Sequence, residues 1–389
     1  MNKKYTVISI LLAIAACILI VYFSGMVGKP SVLTSRGKRT VLYERAKVIN
    51  IKAEKLNDDT VVEGMKLGNQ DIDIEILTGK YAKQRFAVKN GLSRLYNVKV
   101  EKNMEVIASL YLNDGTLSDI SLYSYKRDKV IYVLIAIFFL VILAIGKLKG
   151  LKSIVSLIFT GVMVLFFMVP MMFRGLSPIT AAIITAIATT VVTHLLITGW
   201  SKKSASAMLG TISGVIVAGV ISYLAGQAAH LSGVTMDNAE NLIYVAENSK
   251  FSINGLMFAA ILIASLGAVM DVGMSIASSI YEMHSVNPKL DKKQLFNSGM
   301  NVGQDIIGTM SNTLILAFAG SSLPLIILIM ASSMPYLQIM NMDLICTELI
   351  QSLAGSIGIV LTVPITAFIS VAFIESKYLK FNSNKKLRG

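Results

Sequence analysis

Eight runs of apolar residues divide this chain, and each is close to the roughly 20 positions a helix needs to cross a hydrocarbon core of about 30 Å. They lie near Thr6 to Ser24, Val130 to Gly146, Ser153 to Phe173, Pro178 to Thr198, Ala205 to Leu231, Phe251 to Ile276, Ile306 to Met330 and Glu348 to Phe373. Inside a bilayer no water is present to satisfy a backbone amide, so such runs can cross only as helices or as a closed barrel, and runs this long read as helices. The whole chain is 54% hydrophobic and 15% charged, which excludes an all-soluble fold. Residues 29 to 129 nevertheless read as ordinary soluble sequence, which excludes an all-membrane one. The expectation is an α-helical polytopic membrane protein with an anchor helix over residues 1–28, a β-rich extracytoplasmic domain over 29–129, a seven-helix bundle over 130–376 and a basic tail over 377–389.

Charge orients the runs. Lys3 and Lys4, Lys147, Lys149 and Lys152, Lys202 and Lys203, Lys289, Lys292 and Lys293, and five basic residues after Phe373 fall on one side. The short loops of the other side hold only Arg174 and Lys250, so the positive-inside rule places both termini in the cytoplasm. Much of the net charge of +13 is therefore a topology signal rather than a nucleic-acid footprint. The stretch Ile14-Ala15-Ala16-Cys17 has the look of a lipoprotein cleavage site, but the apolar run continues to Phe23, which favours an uncleaved anchor. Two cysteines, Cys17 and Cys346, supply neither a disulfide framework nor a thiolate metal site.

In the soluble region Asp71-Ile72-Asp73-Ile74-Glu75-Ile76 alternates as a half-buried strand must. Turn signals at Thr78-Gly79-Lys80, Asn90-Gly91 and Asn113-Asp114-Gly115 separate further alternating runs at Phe86 to Val88, Leu95 to Val100, Val106 to Leu112 and Leu117 to Tyr123. Five or six short strands predict a small barrel or sandwich, with an OB-like barrel among the candidates.

Small residues recur every fourth position in the fifth run, at Gly210, Gly214, Ala218, Ser222 and Gly226. Such a face permits close backbone packing in lipid, where no hydrophobic force brings helices together. Thr185, Thr189 and Thr193 of the fourth run read as interhelical hydrogen-bonding groups. His194 and His230 each stand near a run end without a second ligand at useful spacing, so no metal site is expected; His284 falls in a loop.

The residues pointing to chemistry are carboxylates in apolar surroundings, which are costly there and are kept for a bundle interior or water. Asp271, Ser275, Ser278 and Glu282 repeat at i, i+4, i+7 and i+11, and Asn301, Asp305, Gly308 and Asn312 repeat at the same spacing. Two such stripes on consecutive antiparallel helices can meet, and their oxygens would suit a cation or a proton. Asp305, at the start of its run, has a plainer role open to it as a helix N-terminal acid. Met270-Asp271-Val272-Gly273 recurs as Met300-Asn301-Val302-Gly303, an echo of the inverted repeats of transporters. Gly320-Ser321-Ser322-Leu323-Pro324 and Pro364 interrupt the last two runs, as simple kinks or as breaks that line a cavity. No phosphate-binding loop and no intramembrane protease motif is present, so an enzyme is not expected, nor any cofactor.

The segments from Met270 to Ser279, from Asn301 to Met310 and from Asn312 to Pro324 closely resemble the YibE/F-like family of bacterial multi-pass membrane proteins. That resemblance covers most of the chain and implies a bacterial cytoplasmic membrane, with a second related membrane protein or a homo-oligomer as partner besides the bilayer. Gln304 stands where many members carry a basic residue, which removes a charge partner for Asp305. The resemblance supplies no activity. From the residues, the expected function is transport of a small solute or ion through an intramembrane carboxylate site. The alternative is a non-transporting scaffold or sensor whose outer domain binds a partner protein or a cell-wall component.

Overall fold

The computed structural model describes residues 3–27, 39–231, 239–253 and 255–375; the expected basic tail lies outside the described residues. The chain divides into two compact units, Ser31–Val141 and Met1–Pro30 with Ile142–Gly389.

The first unit is built on five antiparallel strands: β1 (Arg39–Asp58), β2 (Lys66–Ile76), β3 (Arg85–Leu92), β4 (Glu105–Asn113) and β5 (Thr116–Tyr125). Their order, β3-β2-β1-β4-β5, makes a half-barrel with β1 at its centre. β1 serves both halves, pairing β4 from Arg39 to Lys47 and β2 from Ala46 to Asp58. Register shifts at Val48/Asn50 and Ile51/Ala53 bend it between the two, as bulges do. The alternation of β2 turns Ile72, Ile74 and Ile76 into the core, where they meet Val48, Val106 and Leu110. The β4–β5 turn has Asp114 at φ 49° and Gly115 at φ 80°, the left-handed pair that matches the twist of a tight hairpin.

Two expectations fail here. Asn90-Gly91 is no turn but part of β3, and the Asn90 side chain is buried and donates to Gln70 Oε1 (3.2 Å) and to the carbonyl of Val98 (2.8 Å). Leu95 to Val100 is no strand, although Val100 is fully buried. Side chains serve that backbone instead of a neighbouring ladder: Gln70 Oε1 accepts from the Val100 amide (3.0 Å), and Gln70 Nε2 donates to its carbonyl (2.9 Å). Sequence alternation reports burial, which packing without a ladder satisfies equally well. Nearby, Arg94 grips Asp59 in a two-pronged ion pair of 2.7 and 2.8 Å, and the Asp59 side chain is inaccessible to solvent. The hydrogen bonds from Arg94 hold the Asp59 carboxyl down to about 2.

The helical elements are α1 (Lys3–Val27), α2 (Asp128–Val162), a π-helical turn (Met163–Met168), α3 (Val169–Phe173), α4 (Pro178–Thr198), α5 (Lys202–Ala228), α6 (Ala239–Glu247), α7 (Leu256–Val286), α8 (Lys292–Ser321), α9 (Leu323–Ala331), α10 (Tyr336–Met340) and α11 (Asp343–Glu375). Among the described residues six helical segments are long and apolar enough to cross a membrane, or seven when α8 and α9, bent by 60°, form one span. The eight runs become fewer because Val130 to Gly146 and Ser153 to Phe173 fall in one segment, Asp128–Phe173. Within it Lys147 is non-helical at φ 49°, ψ −128°.

Helix ends follow caps rather than hydropathy. Pro178 opens α4 behind Ser177, whose hydroxyl accepts the amide of Thr180. Asp291 and Gln294 form a capping box that starts α8 fourteen residues before the apolar run it carries. α7 likewise runs ten residues beyond the end of its apolar run. The core of this unit is the meeting of α5, α7 and α11, flanked by α4 and α8.

Candidate functional site

Asp271 is the central residue of the 31-residue α7, and the inward face of that helix is apolar and tightly packed. Val269 and Gly273 are buried; each is two positions from Asp271, or about 200° around a helix. Asp271 therefore lies on the opposite face and is exposed on the described bundle, with Ser275 and Ser278 half-buried along the same stripe and Glu282 exposed at its end.

α8 repeats the arrangement. Leu295, Gly299 and Gly303 form its buried ridge, and a Cβ at Gly299 would meet Ile280 of α7 at 2.5 Å. A Cβ at Gly303 would collide with Val363 of α11 and lie 3.3 Å from Ile276 of α7. Asn301, two positions from both glycines, must point the other way, and Asn301, Asp305 and Asn312 are all exposed. The two stripes thus lie on the outer faces of their helices and do not converge on one enclosed cavity. Asp305 sits near the middle of the 30-residue α8 rather than at its start, so the plainer role of an N-terminal acid does not apply. No group of three or more metal-ligating side chains forms among the described residues.

The small-residue ladder is buried along its whole length. Added Cβ atoms at Gly210 and Gly214 would strike the hydroxyls of Thr366 and Thr362 on α11, and one at Gly226 would lie 2.6 Å from Phe258 of α7. From the other side, a Cβ at Gly273 would be 2.6 Å from the hydroxyl of Thr211. Helix backbones and short side chains fill this three-helix seam without room for a path.

Sequence reasoning missed the state of His194. It is fully buried, its Nδ1–H donates to the carbonyl of Thr190 at 2.9 Å, and its Nε2 has no partner among the described residues. One turn of α4 earlier, the Thr190 hydroxyl is also buried without a partner among the described residues. Of the three threonines, Thr193 makes an interhelical bond, to Ser156 of α2 at 2.6 Å, whereas Thr185 and Thr189 bond back to their own helix. His284 lies in the last turn of α7, not in a loop.

In comparison with known families, the family described as YibE/F-like protein matches residues 134–376. It begins within α2, so α1 and the half-barrel lie outside it. No curated protein and no solved structure matches the chain.

Proposed function

Because the chain belongs to the YibE/F-like family, whose match coincides with the helical bundle, we propose that this bundle is a membrane permease for a small solute or ion, with Asp271 as its essential carboxylate. The observation that supports this reading is the position of Asp271: midway along a long apolar helix, exposed on the described bundle. A carboxylate there is costly against hydrocarbon and is retained where water, a translocating cation or proton, or a protein partner meets it. Asn301, Asp305 and Asn312 offer polar groups on the exposed face of the next helix. The bend of 60° between α8 and α9, and Pro364 inside α11, add places where backbone groups are freed from helical pairing.

In this reading the break at Lys147 separates two spans, which with the bent pair gives eight crossings. A Cβ at Gly150 would strike the carbonyl of Ile142, an approach that a straight helix cannot make across eight residues. The charge asymmetry supports an orientation with both termini in the cytoplasm.

The test is Asp271→Asn in a complementation assay that responds to loss of the gene. The amide keeps the shape and removes the charge, so activity should be lost with expression intact, and Asp271→Glu should retain part of it. A fully active Asp271→Asn protein would move the assignment to the scaffold or sensor. That second reading has its own support in the half-barrel, whose strand order is that of an OB barrel opened between β3 and β5. Val61, Leu95 and Tyr96 stand exposed on the two loops that Arg94 and Asp59 tie together, a form suited to binding a partner.

A further inference from the structure

A groove of about 240 Å³ runs along the surface of the helical unit between α4 and α5. Ile179, Ile183 and Ile187 line one wall, Ile216 and Val220 the other, and Leu262 of α7 lies at its floor. From Ile179 to Thr190 at the far end the groove follows eleven positions of α4, about 16 Å, which is close to the hydrocarbon thickness of one leaflet.

At the Ile179 end the chain gathers two cations that are far apart in sequence. Arg174 caps α3 and Lys250 lies between α6 and α7. The ring of Phe173 packs on that of Phe251 with centroids 5.5 Å apart, and these are the residues next to the two bases. A Cβ at Gly175 would stand 3.6 Å from the Cβ of Lys250, and one at Gly255 would touch Ile179 at 2.8 Å, so the bases and the groove rim share one corner of the fold. Both bases are exposed, and neither forms an ion pair among the described residues, although Glu247 ends α6 three positions before Lys250. They are also the two basic residues of the short loops on their side of the predicted topology.

We propose that this corner is a binding site for one anionic phospholipid of the bilayer, its acyl chain in the α4–α5 groove and its acidic headgroup between Arg174 and Lys250. The apolar groove alone would accept any acyl chain. The two cations at its rim, which have no ion-pair partner among the described residues, select a negative headgroup, since each basic residue near a membrane surface adds measurably to the hold on an anionic lipid.

The test uses the full chain in phosphatidylcholine vesicles, with Trp200→Phe to remove the native indole and Ile183→Trp as a reporter in the groove. Brominated phosphatidylglycerol and brominated phosphatidylcholine are compared as quenchers at equal mole fraction. With two bases at the rim, the phosphatidylglycerol should associate about thirtyfold more strongly. Arg174→Gln together with Lys250→Gln should bring the ratio to about one, and Val220→Phe, which fills the groove, should weaken quenching by both lipids. Ile187→Trp serves as the reporter if the first does not fold. Equal quenching by the two lipids with the rim intact, or a preference that survives loss of both bases, overturns the proposal.

Discussion

Gly214 and Gly267 are both interior helical glycines, and the structure assigns them opposite responses to the same substitution. A Cβ at Gly214 would overlap the hydroxyl of Thr362 and stand 2.9 Å from Val269 Cγ1, so α11 and α7 would both have to retreat. Forced overpacking of this kind typically costs about 1–3 kcal/mol. Against it stands the ordinary gain of about 0.5–1 kcal/mol when alanine replaces glycine within a helix. At Gly267 no described atom lies within 4 Å of the added atom, so only the gain remains. Gly214→Ala should therefore be destabilised by roughly 1–2 kcal/mol and Gly267→Ala stabilised by about 0.5–1 kcal/mol. Gly214→Leu should give little folded protein. The assay is heating of detergent-purified protein followed by size exclusion, comparing the midpoints at which the monodisperse peak is lost. A Gly214→Ala midpoint at or above the parent's would mean that the seam has slack, and the reasoning would fail.

The half-barrel offers two further tests. Because ion pairing holds the Asp59 carboxyl near 2, below the ordinary aspartate value of about 3.9, its stabilising effect is complete above that ordinary value and is lost as pH falls from about 4 toward 2. Proteolytic nicking of the loops at 59–65 and 93–97 should thus rise over that window in the parent protein, whereas Arg94→Gln should be nicked at neutral pH as well; identical pH profiles would refute the clamp. Gln70→Ala leaves the buried Val100 amide without its acceptor and the Val100 carbonyl without its side-chain donor, and removes one of the two acceptors of the Asn90 side chain; it should cost about 1–3 kcal/mol, read as a lower urea midpoint for the β-sheet signal. An unchanged midpoint would show that water replaces the amide there.

How far the sequence discloses this protein depends on which force sets each feature. The span at Pro178–Thr198 is legible to the residue because a Ser-Pro start and a glycine stop coincide with the change in hydropathy. At α7 and α8 the two signals separate: hydropathy marks where a helix suits lipid, while the Asp291–Gln294 box marks where it begins. The polar stripes are periodic and so visible, but periodicity gives the angle between residues on one helix and not the direction of its neighbours. Gly299 and Gly303 fix that direction, and nothing local in the sequence distinguishes them from Gly308, which meets no described atom within 4 Å. β1 escaped notice because its 20 residues change partners midway, which breaks the alternation on which strand reading depends.

For the proposed permease the packing narrows where a path can run. The seam of α5, α7 and α11 is closed by contacts at which even one added carbon would collide, and glycine on one helix faces a hydroxyl on another at Gly210, Gly214 and Gly273. Opening that seam would forfeit many small contacts together, so it acts as a rigid frame rather than a gate. The outer faces of α7 and α8 are different: they carry polar groups, of which Asp271, Asn301, Asp305 and Asn312 are exposed on the described bundle. The outer face of α8 also leads toward the bend at Ser322, where continuous helical pairing stops. Movement of solute would therefore follow the rim of the frame past Asp271. Substitutions that fill the seam should then reduce folded protein without changing the activity of what folds, whereas those on the α7–α8 face should do the reverse.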